Sequence, residues 1–220
     1  MKALKQSGEL LLTSAAHQSS YIENVLRHRM SAELCSELWK RNCRAALHVF
    51  NSEVDNAGFD MVLRLQSAVR YVQIKQAHAG KVPPHCSTRV SFSQMAGSCI
   101  VLISYAIEDL TISSYRFFGK KPHEPMKEIE AFKPSISPGR RNAKGERHIR
   151  SNYRDVPVGQ FTLAQGAEQL LDLLFPPGIE PIMLDEDDPL LALQGTCPID
   201  QTGDELVKSL RNNWGHDEFN

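Results

Sequence analysis

The fold is decided by the stretch from Asp55 to Lys75, which reads DNAGFDMVLRLQSAVRYVQIK. Side chains in residues 59–65 alternate with the two-residue period of a β-strand, and residues 69–75 repeat that alternation. The residues between them, Gln66-Ser67-Ala68, are too few for anything but a hairpin connection. The sequence therefore predicts a turn, a strand, a tight turn and a second strand.

The predicted register of this hairpin brings three polar side chains together. If the turn is centred just after Ser67, Asp60 lies opposite Lys75 in the antiparallel pair. Gln73 lies two residues before Lys75, so both side chains point to one face of the sheet. A carboxylate, an amide and an ammonium group are therefore expected to converge at the open end of the hairpin.

These three groups suit metal-assisted hydrolysis of a phosphodiester bond. A carboxylate with a second oxygen ligand, here Asp60 and Gln73, is what a hard cation such as Mg²⁺ requires. Lys75 beside that site would orient the attacking water and offset charge in the transition state. The alternative is a surface hairpin in which Asp60 and Lys75 form an ordinary cross-strand ion pair.

The segments Gly58-Phe59-Asp60 and Gln73-Ile74-Lys75 resemble the signature of the PD-(D/E)xK, or restriction-endonuclease-like, nucleases. The closest resemblance is to the Mrr-like branch, whose last motif begins with Gln. It implies that Asp60 and Gln73 bind Mg²⁺ or Mn²⁺ together with the Ile74 carbonyl, and that Lys75 serves the water. It also implies an α/β fold of order αβββαβ, a mixed sheet flanked by helices, acting on DNA more than on RNA. This sequence departs from the family pattern in its neutral Gln73, which gives the site less negative charge.

A long helix is predicted from Ser20 to about Asn42, where apolar residues recur every four positions. Ser20 and Glu23 have the spacing of a capping box, which is one role for Glu23. The resemblance implies another, because these nucleases often carry a Glu on the first helix that faces the metal site. Glu23 is therefore a candidate catalytic residue and metal ligand, and its charge would partly make up for the neutral Gln73.

Residues 119–155 are predicted to form an irregular loop, rich in Pro and Gly, that is locally basic. Arginine suits phosphate because its planar fork binds two oxygens at once. The candidate nucleic-acid-binding residues are Arg140, Arg141, Lys144, Arg147, Arg150 and Arg154. The alternative is a solvated loop without a ligand.

The remaining elements follow the order expected from the resemblance. Strands are predicted at 46–53, 99–105 and 110–118, and helices at 87–97 and from 163 to the Pro176-Pro177 pair. Residues 1–175 would form one nuclease-like domain containing the basic loop. Residues 176–220 would add an acidic, Pro-rich linker and a C-terminal helical extension.

The composition and the absence of certain motifs exclude several classes of protein. The net charge of −1 means that a site for a polyanion has to be a local patch. Five cysteines without a Cys-x-x-Cys favour reduced thiols and a cytoplasmic location. No apolar run reaches the roughly 20 residues of a transmembrane helix, so no membrane partner is expected. Phosphate-binding glycine loops and the Gly-x-Ser-x-Gly of hydrolases are also missing from the sequence.

Three functions remain open on the sequence alone. The first is a metal-dependent nuclease that cuts DNA or RNA. The second is a catalytically inactive nuclease-fold module that binds nucleic acid or a protein partner, which the neutral Gln73 keeps in consideration. The third is a plain interaction domain. Under any of the three functions, the protein could form a homodimer.

Overall fold

The computed structural model describes residues 18–51, 58–137 and 147–177. The helices are α1 (Ser19–Arg41), the single turn α2 (Val90–Ser93) and α3 (Ala167–Leu174), with 3₁₀ turns at Lys127–Ala131 and Val158–Gln160. The strands are β1 (Leu47–Asn51), β2 (Met61–Leu65), β3 (Ala68–His78), β4 (His85–Arg89), β5 (Ser98–Tyr105), β6 (Ile112–Gly119), β7 (Pro134–Ile136), β8 (Ile149–Pro157) and β9 (Thr162–Ala164). The predicted α/β class is confirmed.

The larger sheet has six strands in the order β1-β2-β3-β5-β6-β9. Strands β3 and β5 run parallel, and the other neighbouring pairs are antiparallel. The central strand β5 is buried along its whole length, as its continuous apolar run predicts. A second sheet of three strands, in the order β4-β8-β7, is formed mainly by residues of the region predicted to be an irregular loop.

Helix α1 covers one face of the larger sheet. Its apolar residues recur every four positions, and the buried set is Ile22, Leu26, Met30, Leu34 and Leu38. These side chains belong to one core with the buried residues of α3 and with one face of β2, β3 and β5. Burying each leucine contributes about 2 kcal/mol. None of the helices in the described ranges is long and apolar enough to cross a membrane.

The opposite face of the larger sheet packs on a second core. That core includes Ile100 and Leu102 of β5, Phe92 of α2, Cys86 of β4 and Val156 of β8. It therefore joins the two sheets, and the helix α2 that packs on this face is a single turn. Asp60 and Lys75 lie on this side of the larger sheet, and both line a cavity that residues of the second sheet also line.

The observed hairpin register differs from the predicted one by two residues. Met61 pairs with Val72, and the loop is the two-residue turn Gln66-Ser67. Gln66 has a φ of 54°, the left-handed conformation that such a short turn requires. The backbone amide of Asp60 donates to the Val72 carbonyl at 2.9 Å, and continuing the observed register sets Asp60 opposite Gln73 and not opposite Lys75. Because the shift is an even number of residues, each side chain keeps the face that was predicted for it.

The connection from β3 to β5 is the second departure. A helix is predicted over 87–97, but His85–Arg89 is a strand and only Val90–Ser93 is helical. The β-branched residues of this segment favour a strand, and pairing with β8 stabilises it. Gly97 ends the connection with a φ of +78°, and a Cβ there would lie 2.4 Å from the Val69 carbonyl oxygen.

The predicted basic loop and the last predicted helix also need correction. Residues 149–157 form strand β8, which pairs with both β4 and β7. The helix expected from residue 163 begins at Ala167, because Thr162–Ala164 pairs with β6 as strand β9. Arg140, Arg141 and Lys144 lie outside the described residues, as does the predicted C-terminal extension after residue 177.

Candidate functional site

A cavity of about 590 Å³ is lined by residues of both sheets. The larger sheet and the segment before β2 contribute Gly58, Asp60, Gln73, Ile74, Lys75, Gln76 and Leu102. The second sheet contributes His85, Cys86, Ser87, Arg89, Arg150 and Tyr153. Glu23 of α1 and Pro83 complete the lining. All four predicted catalytic residues, Asp60, Gln73, Lys75 and Glu23, therefore line one cavity.

Asp60 is held by the backbone of β3. Its own amide donates to the Val72 carbonyl at 2.9 Å, and its Oδ2 accepts from the Ile74 amide at 2.5 Å. A carboxylate that accepts a backbone hydrogen bond at this distance is positioned by the sheet. Asp60 therefore presents its charge next to Gln73 without depending on a flexible loop.

Gln73 brings a buried amide oxygen to the cavity. The side chain is 8% exposed, and its Oε1 is buried without a hydrogen-bond partner among the described residues. Leaving a buried acceptor unsatisfied costs about 1–3 kcal/mol. Because Gln73 lines the cavity, a cation or a donor bound there would satisfy that oxygen.

Glu23 reaches the cavity from the first turns of α1. The helix begins at Ser19 and its N-cap is Gln18, with no side-chain capping hydrogen bond. The capping-box interpretation of Glu23 is therefore wrong, because Ser20 lies inside the helix. Gln76 Nε2 donates to the Ser19 carbonyl at 3.3 Å, which fixes the start of the helix to β3.

The second wall of the cavity comes from the alternation of β4. His85, Ser87 and Arg89 line the cavity, whereas Thr88 between them is fully buried. On β8, Asp155 pairs with Ser87 and Tyr153 pairs with Arg89. Cross-strand partners share a face of the sheet, and of these two β8 residues Tyr153 lines the cavity beside Arg89.

Two guanidinium groups lie against one tyrosine in this wall. Arg89 Nε donates to Tyr153 Oη at 2.6 Å, and the Arg150 Cζ lies 3.4 Å from the centroid of the Tyr153 ring. Both contacts are favourable for a cation beside an aromatic ring. The pair gives the cavity the local positive charge that an anionic ligand requires.

The predicted nucleic-acid-binding residues differ in their position relative to the cavity. Arg150 lines the cavity, and Arg147 is exposed just before β8. Arg154 does not line it, because Nη1 donates to the Ser151 carbonyl at 2.6 Å and Nε to the Glu130 carbonyl at 3.4 Å. Arg89 and Tyr153 were not predicted as site residues. The sequence signal that could have identified Arg89 is the alternation His85-x-Ser87-x-Arg89. It points to the cavity only if residues 85–89 are predicted to be a strand.

Cys86 is not a nucleophile at this site. Burial raises the pKa of its thiol to about 11, with the charge of Lys75 opposing that shift. The thiol is therefore protonated at neutral pH, and the thiolate is the reactive form. Cys86 is 3% exposed and packs in the second core as a small apolar residue.

The predicted metal ligands all offer oxygen donors. They are the carboxylates of Asp60 and Glu23, the amide oxygen of Gln73 and the backbone carbonyl of Ile74, all from residues that line the cavity. Among the residues that the structure describes, no three His, Cys, Asp or Glu side chains group together as a metal site. An all-oxygen set with few charges fits Mg²⁺ or Mn²⁺ and does not fit a soft metal.

Comparison with known proteins adds no relative. No protein-family model matches this chain, and neither a curated protein nor a solved structure matches it significantly.

Proposed function

We propose that this protein is a metal-dependent nuclease that hydrolyses phosphodiester bonds of nucleic acid, DNA in preference to RNA. The observation that carries the proposal is the common cavity of Asp60, Gln73, Lys75 and Glu23. These residues come from a hairpin and from a helix that starts 41 residues before Asp60, counted from Ser19. Only a fold that packs α1 on the hairpin brings them together.

The order of the elements supports a restriction-endonuclease-like core. Helix α1 is followed by the antiparallel strands β1, β2 and β3, by a connection that contains α2, and by β5 parallel to β3. With β4 left out, because it belongs to the second sheet, these elements follow the order αβββαβ. The single turn α2 stands where such a core would have a longer helix, and β4 precedes it.

A hard divalent cation would be held by Asp60, Glu23 and the buried Oε1 of Gln73, with the Ile74 carbonyl as a further ligand. When bound, it would supply Lewis-acid activation of the phosphoryl oxygen and of water. The orphaned Oε1 supports this arrangement, because a ligand there removes the cost of an unsatisfied acceptor.

The chain's own side chains would do the rest. Lys75 is two residues from Gln73 on the same face of β3, where its ammonium group would hold the attacking water and balance charge on the phosphate. Arg89 and Arg150 would hold phosphate oxygens from the opposite wall of the cavity. Positioning and charge stabilisation of this kind provide most of the catalysis in phosphoryl transfer.

The direct test is cleavage of mixed single- and double-stranded DNA and RNA with Mg²⁺, with Mn²⁺ and with a chelator. We expect metal-dependent cleavage that is lost in Asp60→Ala and in Lys75→Ala. Lys81→Ala is the control for the second variant, because Lys81 is exposed in the loop after β3 and does not line the cavity. Full activity of Asp60→Ala would refute the mechanism.

The second candidate is a nuclease fold that binds nucleic acid without cutting it. The neutral Gln73 favours it, because two carboxylates hold a divalent cation less tightly than three. Binding with a steep salt dependence but without cleavage under any metal would select this function. If the protein neither binds nor cleaves nucleic acid, the remaining function is that of a plain interaction domain.

A further inference from the structure

A chain of four polar side chains ends at the cavity and has no part in the proposed metal site. His85 Nε2 lies 3.4 Å from Asp155 Oδ2, and Asp155 Oδ1 accepts from Ser135 Oγ at 2.5 Å. The hydroxyl groups of Ser135 and Ser87 are 2.7 Å apart. The chain joins β4, β7 and β8 of the second sheet.

The exposure of these groups rises from Ser135 through Asp155 to His85. Ser135 is 2% exposed, whereas the side chains of Asp155 and His85 are 21% and 50% exposed. His85 lines the cavity, and Asp155 and Ser135 do not. The carboxylate and the hydroxyl therefore anchor an imidazole whose outer part is accessible to a ligand.

We propose that His85 is the general acid that protonates the leaving oxygen of the phosphodiester. This inference rests on the proposed nuclease function. Lys75, Gln73 and Asp60 lie on one wall of the cavity, and His85 lies on the wall from the second sheet. An in-line displacement places the attacking and leaving oxygens on opposite sides of phosphorus, so the two walls serve the two ends of the reaction.

The proton balance of the step is complete. Water attacks phosphorus and forms the new P–O bond, and its proton passes to solvent. The bond from phosphorus to the sugar oxygen breaks, and that oxygen takes a proton from the imidazolium of His85. His85 then regains a proton from solvent.

Asp155 acts through His85 and is a positioning residue. A carboxylate in contact with one ring nitrogen orients the imidazole and compensates its positive charge, so the other nitrogen is free to serve the substrate. Ser135 in turn fixes the carboxylate. The other charged residues that line the cavity are Glu23, Asp60, Lys75, Arg89 and Arg150.

A substrate whose leaving group needs no proton provides the test. The wild-type products show which sugar oxygen leaves, and an oligonucleotide with sulfur in place of that oxygen is then compared with the ordinary one. We expect His85→Ala and His85→Asn to slow cleavage of the ordinary oligonucleotide about 100-fold, and cleavage of the sulfur substrate less than about threefold. Asp155→Asn should show the same pattern with a smaller loss. His48→Ala, exposed on β1, is the control and should change neither rate.

Each other outcome has a definite meaning. Equal losses on both substrates in folded His85→Ala and His85→Asn would assign His85 to binding or structure and overturn the inference. No loss on either substrate would overturn it as well. In both cases metal-dependent cleavage by the wild type would leave the nuclease function standing. A wild-type protein that cleaves neither substrate would refute the nuclease function itself, and this inference with it.

Discussion

The carboxylate of Asp60 accepts a hydrogen bond from the backbone amide of Ile74, with 2.5 Å between Asp60 Oδ2 and the Ile74 nitrogen. Ile74 lies between Gln73 and Lys75, so the middle residue of one motif positions the acid of the other. The carboxylate, the amide and the ammonium group are thus held in one place by backbone geometry.

Asp60→Asn separates the charge of this residue from its structural contact. The asparagine Oδ1 still accepts from the Ile74 amide, so we expect the free energy of unfolding to change by less than about 1 kcal/mol. Loss of the negative charge should weaken Mn²⁺ binding at least about tenfold. Calorimetric titration with Mn²⁺ measures the metal affinity of the wild type and of the variant. Asp172→Asn, on the outer side of α3, is the control. Unchanged metal affinity would show that Asp60 is not a ligand.

Gln73→Glu should be a gain-of-function change. It adds a third carboxylate to the cavity, so we expect Mn²⁺ to bind about tenfold more tightly. Without metal the buried glutamate is destabilising, because a buried charge without partners is costly. Thermal melts with and without Mn²⁺ should therefore differ more for this variant than for the wild type. Gln165→Glu, exposed before α3 and outside the cavity lining, should show no such difference.

The arginines beside Tyr153 should dominate binding to nucleic acid. We expect Arg89→Ala to lower affinity about tenfold and to reduce the slope of log affinity against log salt by about one, because one phosphate contact is lost. Tyr153→Phe keeps the ring beside Arg150 but removes the Oη that accepts from Arg89, so its loss should be smaller. Arg64→Ala, exposed on β2, is the control. Equal losses in Arg64→Ala and Arg89→Ala would exclude a specific phosphate site here.

Arg70 should be one of the most sensitive positions for stability. Its fully buried side chain donates from Nε to the Leu174 carbonyl at 2.6 Å and from Nη2 to the Leu173 carbonyl at 3.3 Å. It thereby satisfies carbonyls at the end of α3 and fixes that helix to β3. We expect Arg70→Ala to lower the free energy of unfolding by about 3 kcal/mol in urea titrations, against less than about 0.5 kcal/mol for Arg64→Ala.

The buried thiol of Cys86 predicts a loss of stability at alkaline pH. Burial raises its pKa from the ordinary 9.0 to about 11. The unfolded chain therefore releases this proton first, and the stability that the neutral thiol provides below pH 9 is lost as the pH rises to about 11. Urea titrations between these values should show a smaller decline in Cys86→Val than in the wild type. An identical decline would mean that the thiol does not titrate in this way.

Helix α1 and the central hairpin could be predicted from the sequence because their signals are local. A four-residue recurrence of apolar side chains marks the buried face of α1, from Ile22 to Leu38. The two-residue alternation of β2 and β3 places Gln73 and Lys75 on one face, and it does so even though the predicted register was wrong by two residues. An even shift preserves faces, so the wall of the cavity that carries Gln73 and Lys75 followed from the sequence alone.

The second wall of the cavity was decided by tertiary structure. His85 and Arg89 meet Asp155 and Tyr153 only because β4 pairs with β8, some 64 to 72 positions away along the chain, as the pairs Arg89–Tyr153 and His85–Pro157 show. Nothing in the local pattern of 119–155 specified that pairing, and its prolines and glycines indicated a loop. Local periodicity determines which face a side chain takes, whereas the partner of a strand depends on packing between distant segments. The sequence by itself therefore determined the acid, the amide, the amine and Arg150 as candidates, and the fold supplied Arg89 and Tyr153 and set His85 against Asp155.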